Sequence, residues 1–285
     1  MNDLLLKDKH GIARCEIANP AEDLLFQGDG CRIYLASTPN NKETVFLRLP
    51  TDRFGNGDMQ FEVEKLEFLK KASDEIEALY QKERKDPKVR VHYDWLVPEL
   101  WDSFITDESQ NFRQANLISI RDAKVRDFFP LPKLTEKYQI DTRSAAWILG
   151  RFFKLMTFAD EVGLGFNFMP DQVVLEPRMH RMVFLGWNLR EYSPEWNNVA
   201  RASKCILEFT LPSETPEDEA FMKNLRFFAE SRGLSGAEAH RMLYAVIRKY
   251  WGISYHPFTY CNRETATWHS LTDATIPNLM KGGIS

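Results

Sequence analysis

The sequence predicts an α+β protein with two lobes, a β-rich N-lobe with one main helix and a mostly helical C-lobe. Two observations support this prediction. Before residue 120, runs rich in Ile, Val, Phe and Tyr alternate with turn residues, and one long segment has helical spacing. After residue 140, helical periodicity dominates and one short hairpin pattern interrupts it. We therefore predict domains at residues 1–120 and 121–285.

In the predicted N-lobe, residues 1–22 have a mixed pattern and receive no assignment. Two strand-like runs follow, RIYLAS (32–37) and TVFLRL (44–49). The intervening TPNNKE has the Pro and Asn content of a hairpin turn. Gly28 and Gly30 precede the first run, where a turn between strands is one explanation for them.

One helix and two further strand regions complete this lobe. Apolar residues recur at helical spacing from Asp58, a plausible N-cap, to about Lys85. The segments 88–106 and 113–120 then have the composition of strands. The lobes are predicted to meet near residues 118–124.

The predicted C-lobe starts with a connector, 121–139, that contains a short helical piece. A strong helix is predicted over 141–163, with Asp141 as its cap and Gly163 just beyond its end. A loop and a β-hairpin follow, and three helices are predicted within 197–252. Ser235 and Glu238 have the spacing of a capping box, whereas the tail from Ile253 has little periodicity.

Composition narrows the class of protein. The 285 residues are 44% hydrophobic and 27% charged, which is typical of a globular protein with a sizeable core. The net charge of −4 favours neither nucleic acid nor an anionic membrane as a partner. No apolar run reaches the roughly 18 residues of a membrane helix, and the first residues do not form a secretory signal. The four cysteines lack metal-binding spacing, so we predict reduced thiols and a cytoplasmic location.

The order of elements resembles the protein-kinase-like fold over about residues 22–260, most closely a group of compact, divergent bacterial kinase-like proteins. TVFLRLP resembles the family's third strand, where a lysine holds the nucleotide's phosphates, and Arg48 stands in that place. FEVEKLEFL resembles the helix whose glutamate pairs with this lysine. Glu62 fits that glutamate best, with Glu64 as a competitor.

The hairpin region resembles the family's catalytic loop and metal-binding strand, and Pro170 aligns the two. On this alignment the proton-accepting aspartate corresponds to Asn167, and the metal-binding asparagine corresponds to Gln172. The catalytic-loop histidine falls on Gly165, and the metal-binding aspartate of the next motif falls on Gly186. The resemblance therefore implies a hairpin that has kept its shape and lost its chemistry.

These replacements have different chemical consequences. Asn167 cannot accept a proton near neutral pH, and Gly186 has no side chain to bind magnesium. Arg48 keeps its charge, but its planar guanidinium differs in shape from an ammonium group. We therefore assign no catalytic residue and no metal site. The degenerate nucleotide positions are Gly28, Gly30, Arg48, Glu62, Asn167 and Gln172.

The resemblance implies a pseudokinase, a catalytically inactive protein that binds another protein as a regulator or scaffold. We predict no cofactor, with ATP as the weaker alternative, and the abundant aromatic residues are compatible with a homo-oligomer. The alternative function is a nucleotide-dependent transferase with a non-standard site, in which Asp171, Glu176 or Asp160 binds the metal.

The predicted site residues also have purely structural explanations. Arg48 and Glu62 can form an ion pair that joins strand and helix, and Asn167 can simply shape its loop. His180 is expected to be exposed at the hairpin turn.

Overall fold

The structure is a computed structural model that describes residues 3–28, 30–39, 42–83, 93–187, 197–252, 254 and 256–271. The chain forms two compact units. The first comprises Met1–Phe128 and Val183–Arg190, and the second comprises Phe129–Met182 and Glu191–Ser285. The predicted order, with strands first and helices second, is confirmed. The single domain boundary after residue 120 stays a prediction.

The first unit is built on an antiparallel sheet and one long helix, α1 (Asn56–Glu83). The sheet runs in the order β1–β2–β4–β5–β7–β6, and β3 also pairs with β4. Its described strands are β1 (Leu4–Lys7), β2 (Ala13–Ile17), β3 (Leu24–Gly28), β4 (Cys31–Ser37), β5 (Thr44–Pro50), β6 (Glu99–Ile105) and β7 (Gln114–Ser119).

The sheet curls until its two outer strands meet. Asp8, just after β1, forms a bridge with Thr106, just after β6. The Lys9 amide donates to the Ile105 carbonyl at 2.9 Å, and the Asp107 amide donates to the Lys7 carbonyl at 3.0 Å. These bonds occupy backbone groups that an open sheet would leave at its edges.

Alternation along β5 gives the two faces of the sheet different roles. Val45, Leu47 and Leu49 belong to the buried apolar cluster inside the curl. The intervening Arg48 therefore lies on the opposite face, where it meets α1. This register brings a charged side chain to the interface between sheet and helix.

Several predicted elements of the first unit need correction. Residues 1–22, left unassigned, contain β1 and β2. The helix begins at Asn56, so Asp58 lies in its first turn, and Asp52 instead caps a preceding 3₁₀ turn. The segment 93–98 is a turn rather than a strand, and 88–92 lies outside the described residues.

The rest of the chain adds six strands and five helices in its described part. Strands β8, β10 and β11 form one small sheet, and β9, β12 and β13 form another. The elements are β8 (Phe129–Pro130), α2 (Leu131–Lys137), β9 (Tyr138–Ile140), α3 (Thr142–Glu161), β10 (Val173–Glu176), β11 (Arg181–Phe184), α4 (Asn198–Phe209), α5 (Pro216–Glu230), α6 (Gly236–Tyr250), β12 (Thr259–Asn262) and β13 (Trp268–Ser270).

The helix signals in this part are confirmed. The Asp141 side chain accepts from the Ser144 amide at 2.8 Å and caps α3, and Gly163 has the left-handed φ of 68° expected beyond the helix end. Ser235 and Glu238 form the predicted capping box of α6. The tail from Ile253 contains β12 and β13, which its weak periodicity did not predict.

None of the described helices combines the length and apolar character needed to span a membrane.

Candidate functional site

Arg48 and Glu62 form an ion pair between β5 and α1. The Nη1 atom of Arg48 lies 2.6 Å from Oε1 of Glu62, and both side chains are 0% exposed. The competing Glu64 is exposed on α1. The ion pair that the sequence suggested is therefore present, and Glu62 is its acid.

A buried polar network surrounds this pair. Asn116 of β7 donates through Nδ2 to Oε2 of Glu62 at 2.9 Å and to the carbonyl of Met59 at 2.8 Å. The Ser103 hydroxyl donates to Oδ1 of Asn116 at 2.7 Å, and the Cys31 sulfur lies 3.6 Å from Nη2 of Arg48. Our sequence prediction missed Asn116, although an amide side chain within the strand-like run ANLISI was the available signal.

The electrostatics keep the Arg48 guanidinium charged. Burial alone would lower the pKa of Arg48. The neighbouring Glu62 carboxylate acts in the opposite direction, and the net result is a pKa of Arg48 above the usual arginine value. Burial raises the pKa of the Cys31 thiol, which favours its neutral form beside the guanidinium. Removing one partner of such a buried pair leaves an uncompensated charge, whereas the intact pair adds little net stability.

Gly28 and Gly30 lie at a tight hairpin. Gly28, at the end of β3, pairs directly with Cys31, at the start of β4. Gly30 has a left-handed φ of 69°, which suits glycine. Its carbonyl accepts from the Thr51 amide at 2.8 Å, which ties the hairpin to the segment after β5. A nucleotide role for the two glycines stays a prediction.

Asn167 lies in a loop that α4 holds in place. The Asn198 side chain donates to the Phe166 carbonyl at 2.9 Å and accepts from the Phe168 amide at 2.7 Å. The Phe168 ring also contacts Phe152 of α3, with ring centroids 4.6 Å apart. The backbone on both sides of Asn167 is thus fixed by one side chain. Our sequence prediction missed Asn198, because the start of a helix gives no sign of a bond to a distant loop.

The remaining predicted positions surround the β10–β11 hairpin. Gln172 is buried, and its Nε2 donates to the Met169 sulfur at 3.5 Å. The Glu176 carboxylate accepts from the Met179 amide at 2.6 Å and from Nε of Arg178 at 3.2 Å, so it stabilises the hairpin turn.

The other acids suggested as metal ligands are more accessible. Asp171 is half-buried, and Asp160 is exposed at the end of α3, although partial burial raises its pKa. Throughout the described ranges, no three histidine, cysteine, aspartate or glutamate side chains come close enough together to hold a metal ion.

His180 lies at the predicted hairpin turn but is not exposed as expected. Its ring lies 4.7 Å from the ring of Trp147, and its carbonyl accepts from Nε of Arg151 at 3.0 Å. Burial, followed by the charge of Arg151, lowers the pKa of His180 from 6.5 to about 4. The side chain is half-buried because Trp147 of α3 covers it.

The position predicted to lack the metal-binding aspartate belongs to the first unit. Gly186 follows β11 in a buried segment. The next residue, Trp187, is 0% exposed, and its ring contacts that of Phe184 edge to face at 5.3 Å. The site residues are therefore divided between units, with Arg48 in the first and Asn167 in the second.

Comparison with known structures identifies the fold. A solved structure described as that of vaccinia related kinase 3 matches 86% of this chain and 90% of its own, with a TM-score of 0.54 and 12% sequence identity. This protein has a protein-kinase-like fold. The predicted two-lobed kinase-like class is confirmed, and at this identity the kinase-like likeness extends to the fold alone. No protein-family model and no curated protein matches the sequence.

The kinase-like N-terminal unit also exposes two aromatic side chains on neighbouring segments. Phe54 is 84% exposed and Phe112 is 49% exposed. Asn56 links the two segments, because its Nδ2 donates to the Phe112 carbonyl at 2.9 Å and its Oδ1 accepts from the Gln114 amide at 2.7 Å. We call Phe54 and Phe112 the aromatic pair.

Proposed function

We propose that this kinase-like protein is catalytically inactive and acts by binding another protein, as a regulator or scaffold. The observation that carries the proposal is the complete burial of Arg48 against Glu62. The ion pair itself is compatible with nucleotide binding, because active kinases keep the equivalent pair in place. The burial is not, because a phosphate cannot reach a side chain that is 0% exposed unless the residues around Arg48 move.

Two further replacements support inactivity. Phosphoryl transfer depends on a metal ion and on a positioned residue that orients the nucleophile. Gly186 offers no side-chain oxygen where the resemblance implies an aspartate, and Asn167 cannot take up the proton of a substrate hydroxyl. The Glu176 carboxylate, an alternative metal ligand, already accepts two hydrogen bonds within its own hairpin.

The aromatic pair supports the binding role. Aromatic side chains, phenylalanine among them, are enriched at protein interfaces relative to the rest of the protein surface. Both segments are held in place before any partner arrives, since the Phe54 amide donates to Asp52 at 2.8 Å and Asn56 holds the Phe112 carbonyl. A preformed surface loses less conformational entropy on association.

Thermal unfolding with ATP, with and without magnesium, tests the inactivity. A ligand that binds only the folded state raises the midpoint, so we expect no magnesium-dependent rise at about 1 mM ATP. A clear rise that needs magnesium would contradict the proposal and favour the transferase. Replacing Asp171 with Asn would then be the first test of a substitute metal ligand.

Partner capture tests the binding role separately. Phe54→Ser combined with Phe112→Ser should abolish co-purification of the partner without lowering the thermal midpoint, because exposed substitutions change stability by only about 0.5 kcal/mol. Phe68→Ser, at a position 46% exposed on α1, is the matched control and should keep the partner. Equal capture by all three proteins would show that the aromatic pair is not the interface.

A further inference from the structure

Arg32 lies on the inner face of the curled sheet. It lies on β4 directly opposite Leu49, a member of the apolar cluster inside the curl. Its neighbours Cys31 and Ile33 take the other face, on which Cys31 meets Arg48. Arg32 therefore belongs to a different surface from the predicted nucleotide positions.

Arg113 reaches the same end of the sheet from the other side. It directly precedes β7, and its Nη1 donates to the Pro50 carbonyl at the end of β5, at 3.1 Å. Its Nε donates to the Gln110 carbonyl at 2.9 Å and its Nη2 donates to the Gln110 side chain, which fixes the orientation of the guanidinium and leaves one N–H of each Nη for a ligand. Because β5 pairs with both β4 and β7, Arg113 extends over the strand that separates it from Arg32.

The two guanidinium groups interact electrostatically. Burial lowers the pKa of Arg113, and the positive charge of Arg32 lowers it further. The negative charge of the Asp52 carboxylate raises the pKa of Arg113. Within the described residues Asp52 makes no ion pair with either arginine, and its Oδ1 accepts from the Phe54 amide instead.

Arg32 also has an unsatisfied donor. In the described part of the chain its side chain makes no hydrogen bond and no ion pair, and its Nε is buried. A buried donor without an acceptor is unfavourable, and a second cation beside it adds repulsion. An anion at this place would relieve both effects.

We propose that Arg32 and Arg113 form a binding site for a phosphoryl group, at the end of the sheet near Pro50. A guanidinium binds phosphate oxygens with paired hydrogen bonds. A phosphoryl group carries about 1.5 to 2 negative charges, which matches two arginines better than a single carboxylate does. Arg53, beside the Phe54 ring, adds a third positive charge near Asp52.

The phosphoryl group can come from a free phosphate or from a phosphorylated side chain of a partner. Phe112 immediately precedes Arg113, so the aromatic pair borders the site and can contact residues that flank a phosphorylated side chain. The inference does not depend on the proposed lack of catalysis, because Arg48 lies on the opposite face of the sheet.

Calorimetric titration of the full chain tests the site. The probes are inorganic phosphate, a phosphoserine peptide with leucine on both sides, and the same peptide without phosphate. Arg32→Gln should weaken phosphate binding by about tenfold or more, since hydrogen bonds to charged groups contribute strongly. Lys71→Gln removes one exposed charge from the same unit and should bind as wild type does. Equal affinity in wild type and Arg32→Gln, or no binding by wild type, would overturn the proposal.

Stability without phosphate gives a second measurement. If Arg32 only repels Arg113 in the empty site, Arg32→Gln should leave the thermal midpoint unchanged or raise it. A lower midpoint would show that Arg32 supports the fold, and would overturn the proposal.

The two phosphate sources are distinguished by their affinities. Tighter binding of the phosphopeptide than of phosphate, lost in Phe54→Ser, would identify a protein source, whereas equal binding would identify a free phosphate.

The same variant separates this proposal from the proposed function. A nucleotide could stabilise the protein through its phosphates at Arg32 without being a kinase substrate. Such stabilisation would be independent of magnesium and absent from Arg32→Gln. Stabilisation that needs magnesium and persists in Arg32→Gln would instead contradict the proposed inactivity and leave the arginine site to be decided by the titrations.

Discussion

At the scale of single residues, the central feature is a charge that is fully withdrawn from solvent. Arg48 could have been a surface cation at the mouth of a binding site. Instead it contacts Glu62, and Asn116 occupies the second carboxylate oxygen. The resemblance to the kinase-like fold indicated the pair, because it placed Arg48 and Glu62 at the positions of the family's lysine and glutamate. It did not indicate Asn116, whose role depends on the pairing of β5 with β7.

The buried pair makes a quantitative prediction. Glu62→Ala should lower the free energy of unfolding by about 3–5 kcal/mol, because Arg48 is left charged and buried. Urea denaturation measures this loss. Glu64→Ala, on the exposed side of α1, is the control and should change stability by about 0.5 kcal/mol or less. Similar losses in the two variants would contradict the central role of the pair.

His180 predicts a pH dependence. Its folded pKa of about 4 lies below its ordinary value of 6.5, so between these values the unfolded chain binds the extra proton. Stability should therefore fall as the pH is lowered from 6.5 towards 4. His180→Asn should flatten this part of the profile, and Asn tolerates the left-handed φ of 53° at this position. Thermal midpoints across this range, with the exposed His10→Asn as control, measure the effect. A profile unchanged in His180→Asn would contradict the assignment.

At the scale of elements, strong local signals predicted the structure well. The caps of α3 and α6 and the β10–β11 hairpin follow from residues close in sequence. The terminal strands were missed because their partners are distant, as when Tyr260 of β12 pairs with Ile140 of β9. A strand of three or four residues has too little periodicity to be recognised without its partner.

The hydrogen bonds from Asn198 of α4 to the Asn167 loop also join segments that are distant in sequence. Asn198→Ala should lower the free energy of unfolding by about 1–3 kcal/mol, since the Phe168 amide and Phe166 carbonyl lose their partner. Hydrogen exchange at Phe168 should accelerate more than exchange elsewhere in the second unit. Asn224→Ala, which removes a bond within α5, is the control. Unchanged exchange at Phe168 would show that Asn198 does not hold this loop.

At the scale of the whole molecule, the resemblance predicted the kinase-like class although no sequence comparison reveals it. The order of elements carries that information, whereas the degenerate motifs carry little. The curl of the sheet was not predictable, because β1 lies in a segment without a pattern and its second contact is near residue 106. The Arg32–Arg113 arrangement was hidden because it depends on the pairing of β5 with both β4 and β7.

The meeting of β1 and β6 predicts the result of a truncation. Removing residues 1–11 takes away β1 and the buried Leu6, and it exposes backbone groups on β2 and β6. We expect a lower thermal midpoint and concentration-dependent association, because an unpaired strand edge recruits other chains. Light scattering measures the association. A truncated protein that stays monomeric with an unchanged midpoint would contradict the importance of the contact.

The contact between β1 and β6 also affects how the chain folds during synthesis. Strand β1 is synthesised about 100 residues before its second neighbour near residue 106, and the first unit is completed only by Val183–Arg190. Pairing between segments so far apart in sequence slows folding and leaves early strands unprotected. Nascent chains halted before residue 107 should therefore depend on chaperones, whereas those that extend past residue 190 should not.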